Sequence, residues 1–376
     1  MQNIMTQNIM TQNTLIYYSI ILITCLIVFN LLKKKNIYLK VLIFFICYII
    51  LFFIIEAIDI FTPYPIWDQT ERTKECYDWF QYYFKNNYDK NEFIDYSESL
   101  FLDRYDTPID KATIQKYEYI YRKLNLSGGK NLLDCGCGIG TWINFCKQKG
   151  VNVVGLTLSE EQAKIIRKKG LTVYVMDYRI LNKKFINKFD AITLLGSTEH
   201  ICSQNDYFNR NEKTYNTYAS LFNVLNQYLK RNGNMLLTVL VMNNTKFTMN
   251  DYTQGYILER HYGGFYAKTN VICKAITNNK LYVESVEDYT IDYHWTSVVE
   301  PTHFGHWYID WTEDTFSKIM YIIRGLLMDP FFIHHWLYYI RDSWMWHLGG
   351  YQTTPLTYKQ VNNAPANLKY ISIRKY

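Results

Sequence analysis

Two kinds of hydrophobic pattern run along the chain, and the change between them divides it. Thr14–Leu32 is an unbroken, uncharged apolar run; after Lys33-Lys34-Lys35 comes a second, Ile37–Ile55, with only Lys40 near its start. Neither run has a polar face, as an amphipathic surface helix would. At about 1.5 Å per residue each is long enough for a bilayer core of roughly 30 Å, and the stem of Lys40 lets its ammonium reach the headgroups. The pattern predicts a transmembrane helical hairpin over 14–57, behind a low-complexity leader, 1–13, that repeats Gln-Asn-Ile-Met-Thr. The leader lacks the basic start of a signal peptide, and Met5 and Met10 are alternative starts.

Over 58–122 the apolar positions take helical spacing (Trp79, Phe80, Tyr83, Phe84; then Ile114, Tyr117, Ile120, Tyr121), which predicts a helical cap. Strand-like and helix-like stretches then alternate. An apolar run at Asn131–Asp134 leads to a helix over Thr141–Lys149. Strands follow at Val151–Leu156, Leu171–Val175, Phe189–Leu195 and Gly233–Val241, with helices at Ser159–Lys169 and Tyr215–Leu229. Such alternation predicts an α/β domain with a parallel sheet, helices on both faces and a ligand crevice at the C-terminal strand ends. The domain occupies 123–245. Residues 246–376, aromatic and His-rich, read as a substrate-covering region, with strands expected at Leu281–Val286 and Tyr370–Arg374 and a helix at Phe331–His347.

Composition changes this picture little. The net charge of +6 is mild and not gathered into basic stripes, which speaks against a nucleic-acid partner and suits an anionic membrane surface. With 35 tyrosines in the chain, no single tyrosine marks a site by its presence. Eight scattered cysteines, without C-x-x-C, read as reduced residues of a cytosol-facing protein. Orientation is contested: the trilysine loop belongs in the cytosol by the positive-inside rule, which would send the large domain outward. A hairpin re-entrant in one leaflet would leave lysines and domain on the same side. A cytosolic domain is the preferred expectation, because the cofactor implied below is a cytosolic metabolite.

The chemistry concentrates at Asn131-Leu132-Leu133-Asp134-Cys135-Gly136-Cys137-Gly138-Ile139-Gly140. A strand ends in an acid, three glycines allow a tight turn and close backbone approach, and the N–H groups of a helix start face the ligand. The spacing is G-x-G-x-G, not the dinucleotide G-x-G-x-x-G. It resembles motif I of class I S-adenosylmethionine-dependent methyltransferases. The stretch Gly155-Leu156-Thr157-Leu158-Ser159-Glu160-Glu161-Gln162 resembles the corresponding segment of cyclopropane-fatty-acid and mycolic-acid cyclopropane synthases. So do Asp177-Tyr178-Arg179, Phe189-Asp190-Ala191-Ile192 and Ser197-Thr198-Glu199-His200-Ile201. Fainter matches are Tyr88-Asp89, Asn91, Phe101-Leu102-Asp103, Asn232-Gly233, Val286-Glu287-Asp288-Tyr289, Asp292-Tyr293 and Trp336–Ile340.

The resemblance implies a Rossmann-like class I methyltransferase core with a mostly parallel seven-stranded sheet. It implies S-adenosylmethionine as cofactor, held by Asp134, Gly136, Gly138 and Gly140. It assigns Thr157, Leu158 and Gln162 to the ribose side and Tyr178 and Arg179 to the adenine side. Glu199, His200 and Tyr293 would face the reacting centre. The family holds a bicarbonate ion there as base, within a Glu, a Cys, a His and a Tyr. Here Glu199 and Tyr293 match; the His is replaced by Thr238, no Cys follows Asp103, and a later family cysteine appears as Ser343. These departures bear on ring formation and bicarbonate use and leave cofactor binding intact.

Three reactions suit such a site: cyclopropanation, methyl addition to an unsaturated chain, or N- or O-methylation of a small molecule, for which Glu199 or His200 would serve as base. A tethered cofactor-binding protein without catalysis is the non-enzymatic alternative. The hairpin favours a membrane lipid acceptor; oligomeric state leaves no sequence signal. No metal is expected, since neither His303-x-x-His306 nor His334-His335 has a Cys or carboxylate completing a set. Cys135-x-Cys137 reads as turn packing, and the sequon Asn243-Asn244-Thr245 as unused in the cytosol.

Overall fold

The computed structural model describes residues 12–61, 70–71, 73–74, 76–78, 95, 97–202, 211–242, 264–299 and 366–376. Two helices, α1 (Gln12–Leu31) and α2 (Ile37–Phe61), precede the α/β domain and form a hairpin. Their seam buries Ile21, Cys25 and Phe52, with Phe44, Cys47, Tyr48 and Leu51 packed against them. Their remaining faces are greasy as well: Ile23, Ile27, Leu31, Leu42, Ile46 and Ile50 are all exposed. A helical hairpin therefore stands where a transmembrane one was expected. Among the described residues no helix is long and apolar enough to cross a membrane; the side chains of 12–18, 53 and 55–61 lie outside that description.

Helix α3 (Ile109–Lys123) leads into β1 (Asn131–Cys135), α4 (Thr141–Gln148), β2 (Asn152–Thr157), α5 (Glu160–Lys168), β3 (Val173–Val175) and β4 (Phe189–Leu195). After these come α6 (Asn211–Tyr228), β5 (Leu229–Met242), α7 (Thr269–Asn278), β6 (Tyr282–Asp288), α8 (Thr290–Val299) and β7 (Ala366–Arg374). The seven strands lie in the order β3-β2-β1-β4-β5-β7-β6. Strands β3 to β5 pair in parallel, and β7 runs antiparallel between β5 and β6.

The two-residue period of the strands explains the two-sided core. Leu133, Leu156, Ile192 and Leu237 face one side, covered by Tyr218, Leu221, Phe222 and Leu225 of α6 and Ile272, Ala275 and Ile276 of α7. Leu132, Val153, Ala191 and Leu236 face the other, covered by Tyr117 and Ile120 of α3, Trp142 and Ile143 of α4, and Ala163 and Ile166 of α5. Strand order reverses at β1, which pairs with both β2 and β4, and there the crevice opens.

The observed elements go beyond expectation in one place. Helices α7 and α8 occupy what read only as covering sequence. The α3 part of the expected cap shares a hydrophobic core with β1. The helix expected at Phe331–His347 lies outside the described residues.

Candidate active site

A cavity of about 220 Å³ lies at the C-terminal ends of β1, β2, β3 and β4. β1 delivers Asp134, only 2% exposed, whose Oδ1 accepts the Thr193 hydroxyl at 2.7 Å. Thr193 Oγ1 in turn accepts the Trp142 indole N–H at 3.1 Å, so the carboxyl is held from behind. Burial pushes Asp134 up to about 7, with Asp95 adding to the rise and Thr193 and Lys116 opposing it.

The turn after β1 needs Gly136. Its φ is 85°, and a Cβ there would stand 2.5 Å from the Ser197 Cβ. The turn is pinned by the N–H groups of Gly136 and Cys137, which both donate to Leu156 O at 2.9 Å. Gly138 also lines the cavity. Gly140 is not among its lining residues. It caps α4 with a φ of 80°, and a Cβ would come 2.9 Å from Ile166 Cγ1, so its smallness serves helix packing.

At the end of β2 the Thr157 hydroxyl donates to Gln162 Oε1 at 2.6 Å. Ser159 caps α5 by accepting the Gln162 N–H at 3.1 Å and donates its own hydroxyl to Asp78. Thr157, Leu158 and Gln162 all line the cavity. Beyond β3, Arg179 is folded onto Asp177, with Nη2 to Oδ2 at 2.6 Å, and also donates to Thr70. Tyr178 is buried and donates to Ser197 O at 2.8 Å.

The turn after β4 carries two of the three residues expected at the reacting centre. Glu199 is 4% exposed; its Oε1 accepts the Leu240 N–H at 2.7 Å. Its Oε2 is buried and has no hydrogen-bond partner among the described residues. Burial pushes Glu199 up to about 7, the charge of Glu98 adds to this, and the Leu240 N–H opposes it. The Glu199 carbonyl accepts the Phe265 N–H at 2.7 Å, at a contact so close that a Cβ on Gly264 would stand 2.0 Å from that oxygen. The His200 ring meets the Tyr77 hydroxyl at 2.9 Å. Tyr293, on α8, lines the same cavity.

Several lining groups, Asp95, Ser97 and Glu98 among them, were not expected, nor was the lysine that holds two of them. Lys116 is fully buried and bridges Asp95 (2.5 Å) and Ser97 (2.7 Å). Burial alone would raise Asp95, yet Lys116, Tyr117 and Ser97 hold it below the usual carboxylate range. Glu98, 3% exposed, accepts the Tyr370 hydroxyl. A charged lysine beside Tyr117 inside an otherwise apolar helix face was the available signal for Lys116; Asp95 and Glu98 sit in an irregular segment without periodicity.

Other motif residues prove architectural. Asp292 accepts the N–H groups of Phe101 and Leu102 and fixes the turn there. Asp190 pairs with Lys230 at 2.9 Å, and Glu287 is held down to about 2 despite burial, by Lys123, Tyr119 and Ser285. The departures that bear on bicarbonate are visible in this cradle, which does not fit that ion. Thr238, standing where the family has a His, is fully buried, spends its Oγ1 on the Gly196 N–H at 3.0 Å and is not among the lining residues. Glu98 adds a second carboxylate to the lining, which disfavours an anion. Cys135 and Cys137 are buried thiols, and the Cys137 sulfur packs where a Gly155 Cβ would be. Ser343, the two His pairs and the sequon lie outside the described residues.

Comparison with known proteins follows this geometry. The profile of the family described as mycolic acid cyclopropane synthetase matches residues 67–342. A probable fatty acid methyltransferase of Mycobacterium tuberculosis is 39% identical over 105 residues, which are 26% of this chain and 24% of the relative. The cyclopropane-fatty-acyl-phospholipid synthase of Escherichia coli is 31% identical over 154 residues, 40% of this chain and 36% of the relative. The chain thus matches well under two thirds of the length of these curated relatives. Mycolic acid cyclopropane synthase CmaA1, solved with SAH and CTAB, superposes with a TM-score of 0.58 at 19% identity, covering 81% of this chain and 98% of that one.

Proposed function

Because the chain belongs to the mycolic acid cyclopropane synthetase family, we propose that it is an S-adenosylmethionine-dependent transferase that adds a methyl or methylene carbon to the unsaturated acyl chain of a membrane lipid. The observation that carries the reading is the meeting, in one cavity, of three kinds of wall. The Asp134–Gly138 turn with Thr157 and Gln162 makes the first. A buried carboxylate with a bare oxygen, Glu199, makes the second. An apolar side of Ile201, Leu240, Tyr266 and Leu368 makes the third.

The cofactor supplies an electrophilic methyl on a sulfonium, so the protein needs no covalent intermediate; it must align two partners and exclude water. Asp134 ionises against the cationic end of the cofactor, and Thr193 orients it. Thr157 fixes the Gln162 amide beside the cavity. Glu199 takes the proton that the acceptor loses. The apolar wall accepts hydrocarbon and keeps the centre dry.

The α1–α2 hairpin enters the lipid and holds the cavity where acyl chains can be drawn up, with the domain on the cytosolic side. Exposed isoleucines and leucines on faces turned away from the seam support this, since large exposed apolar patches mark interaction surfaces. The trilysine turn then lies among anionic headgroups.

The test is incubation of the full chain with methyl-labelled cofactor and either vesicles of unsaturated phospholipid or a panel of amines and hydroxyl compounds. Label in the phospholipid is expected. Label only in a small molecule would replace the acyl acceptor, and cofactor binding with no transfer would leave a binding protein. Alkaline-carbonate extraction is expected to leave the full chain with membranes; release would remove the embedded hairpin.

A further inference from the structure

Exposed large hydrophobic residues are sparse on the α/β domain. Among the described residues outside the hairpin there are nine, and four of them, Tyr174, Ile180, Leu181 and Ile186, gather at the β3 edge of the sheet. Scattered singly such residues mean little; gathered, they mark a surface that meets something. Ile180 is 64% exposed, more than any other leucine or isoleucine described in the domain.

This exposure is built into the fold. Phe185 is tucked beneath the patch, its ring centroid 5.6 Å from that of Tyr174, 5.6 Å from Phe189 and 5.5 Å from Tyr228. The Tyr228 hydroxyl accepts the Asn182 N–H at 2.6 Å and donates to Ile180 O at 3.0 Å. Asn182 in turn caps the short 3-10 turn Lys183–Phe185 by accepting the Lys184 N–H at 3.0 Å. Backbone and anchor are fixed, and the aliphatic side chains are left outside.

The charge around them has one sign. Between Tyr178 and Phe189 the chain carries Arg179, Lys183, Lys184 and Lys188 and no acid. The flanking acids are already spent, Asp177 on Arg179 at 2.6 Å and Asp190 on Lys230 at 2.9 Å. Lys183, Lys184 and Lys188 are exposed and form no ion pair among the described residues. Aliphatic side chains set among unpaired ammonium groups suit the boundary of an anionic bilayer. There hydrocarbon sinks below the headgroups while lysine stems reach the phosphates. A second copy of this chain fits poorly, because a two-fold contact would bring the same positive charges together. Tyr178 and Arg179, immediately before Ile180, line the cavity, so the patch adjoins the site.

We propose that Tyr174, Ile180, Leu181 and Ile186, with Lys183, Lys184 and Lys188, form a second lipid-docking surface, distinct from the hairpin, that seats the β3 edge on an anionic bilayer beside the cavity. The hairpin holds the chain to the membrane; this patch fixes which way the domain faces it. The purpose of the surface rests on the lipid-acceptor reading above, whereas its existence does not.

Two measurements on the full chain test this, on vesicles of unsaturated phosphatidylcholine with or without phosphatidylglycerol. In the first, an environment-sensitive fluorophore is attached at I180C, and the signal of identically treated wild type is subtracted for the native cysteines. Y282C, on β6 at the opposite sheet edge, is the control. Lipids carrying a nitroxide at the headgroup or high on the acyl chain should quench the label at 180 and spare that at 282. A label at 180 that stays in water, or both labels quenched alike, overturns the proposal. So does a label at 180 that responds to protein concentration and not to lipid, which would point to a second copy.

The second measurement is turnover. The wild type should transfer methyl groups about 3- to 10-fold faster to vesicles with phosphatidylglycerol than to those without. K183E/K184E should lose that advantage with calorimetric cofactor affinity retained, which also shows that it folds. A wild type without the preference, or a variant that keeps it, overturns the surface as well. A wild type that labels lipid in neither vesicle removes the lipid-acceptor reading, and quenching at 180 then decides the docking surface alone.

Discussion

On one side of the cavity, the polar groups come from three short turns, 134–138, 157–162 and 177–179, each contiguous in sequence and each closing a neighbouring strand. On the other side, Glu98, Glu199 and Tyr293 arrive from separate segments, and Glu98 is held by a tyrosine 272 residues away. The first side is a product of local geometry: a strand end, a glycine with a positive φ, a helix start. The second exists only once β7 has slotted between β5 and β6 and α8 has docked through Asp292. A binding surface of the first kind tolerates divergence around it, whereas the second kind is where one or two exchanges, such as Thr238 for the family's His, bear on the chemistry.

The comparison can be broken most sharply at Glu199. Glu199→Gln should lower turnover by about 10²- to 10⁴-fold while cofactor affinity, measured by calorimetry, stays within error, because the two sides are separate in function. A parallel fall in affinity would erase the distinction. Gly136→Ala attacks the other side: a side chain at φ 85° that meets Ser197 Cβ at 2.5 Å should destabilise by about 2–4 kcal/mol. Thermal melting would register this, and cofactor binding should be lost.

Asp134→Asn should weaken cofactor binding about 10- to 100-fold, as expected for a buried charge partner. The wild-type pH dependence carries a definite sign. Burial holds Asp134 up to about 7, so affinity for a cationic ligand should rise as pH climbs through that value and then level off. Stability of the unliganded chain should move the other way. The unfolded chain gives up this proton at about 4, while the fold keeps it until about 7. The contribution of Asp134 is therefore greatest below that window and is lost as pH rises across it. The Asn variant should flatten both curves. The smallest effect is expected at Thr157→Val, which removes the 2.6 Å hydrogen bond to Gln162. It should cost about 1 kcal/mol of stability and a few-fold in affinity, leaving kcat unchanged.

How much of this was legible in the sequence follows the same division. Asp134, Gly136, Gly138, Thr157 and Gln162 could be read because strand, turn and helix start are written within a dozen residues. At Gly140 the same spacing meets α5, where a Cβ would come 2.9 Å from Ile166 Cγ1, a constraint that sequence alone does not display. Helix α7 escaped because its buried set is just Ile272, Ala275 and Ile276, too short a stripe to stand out. Glu98 and Asp95 could not be read at all, since their meaning lies in partners such as Tyr370 and Lys116 that chain distance conceals. The apolar hairpin was visible at once, for its pattern needs no partner to be noticed.

The most direct test of the account is mass spectrometry of host lipids from cells carrying the wild-type chain or Glu199→Gln. The account predicts acyl chains heavier by one CH2 group with the wild type, their loss with Glu199→Gln, and cofactor binding intact in both. Acyl chains unchanged by the wild type, or equally modified by both, would contradict it.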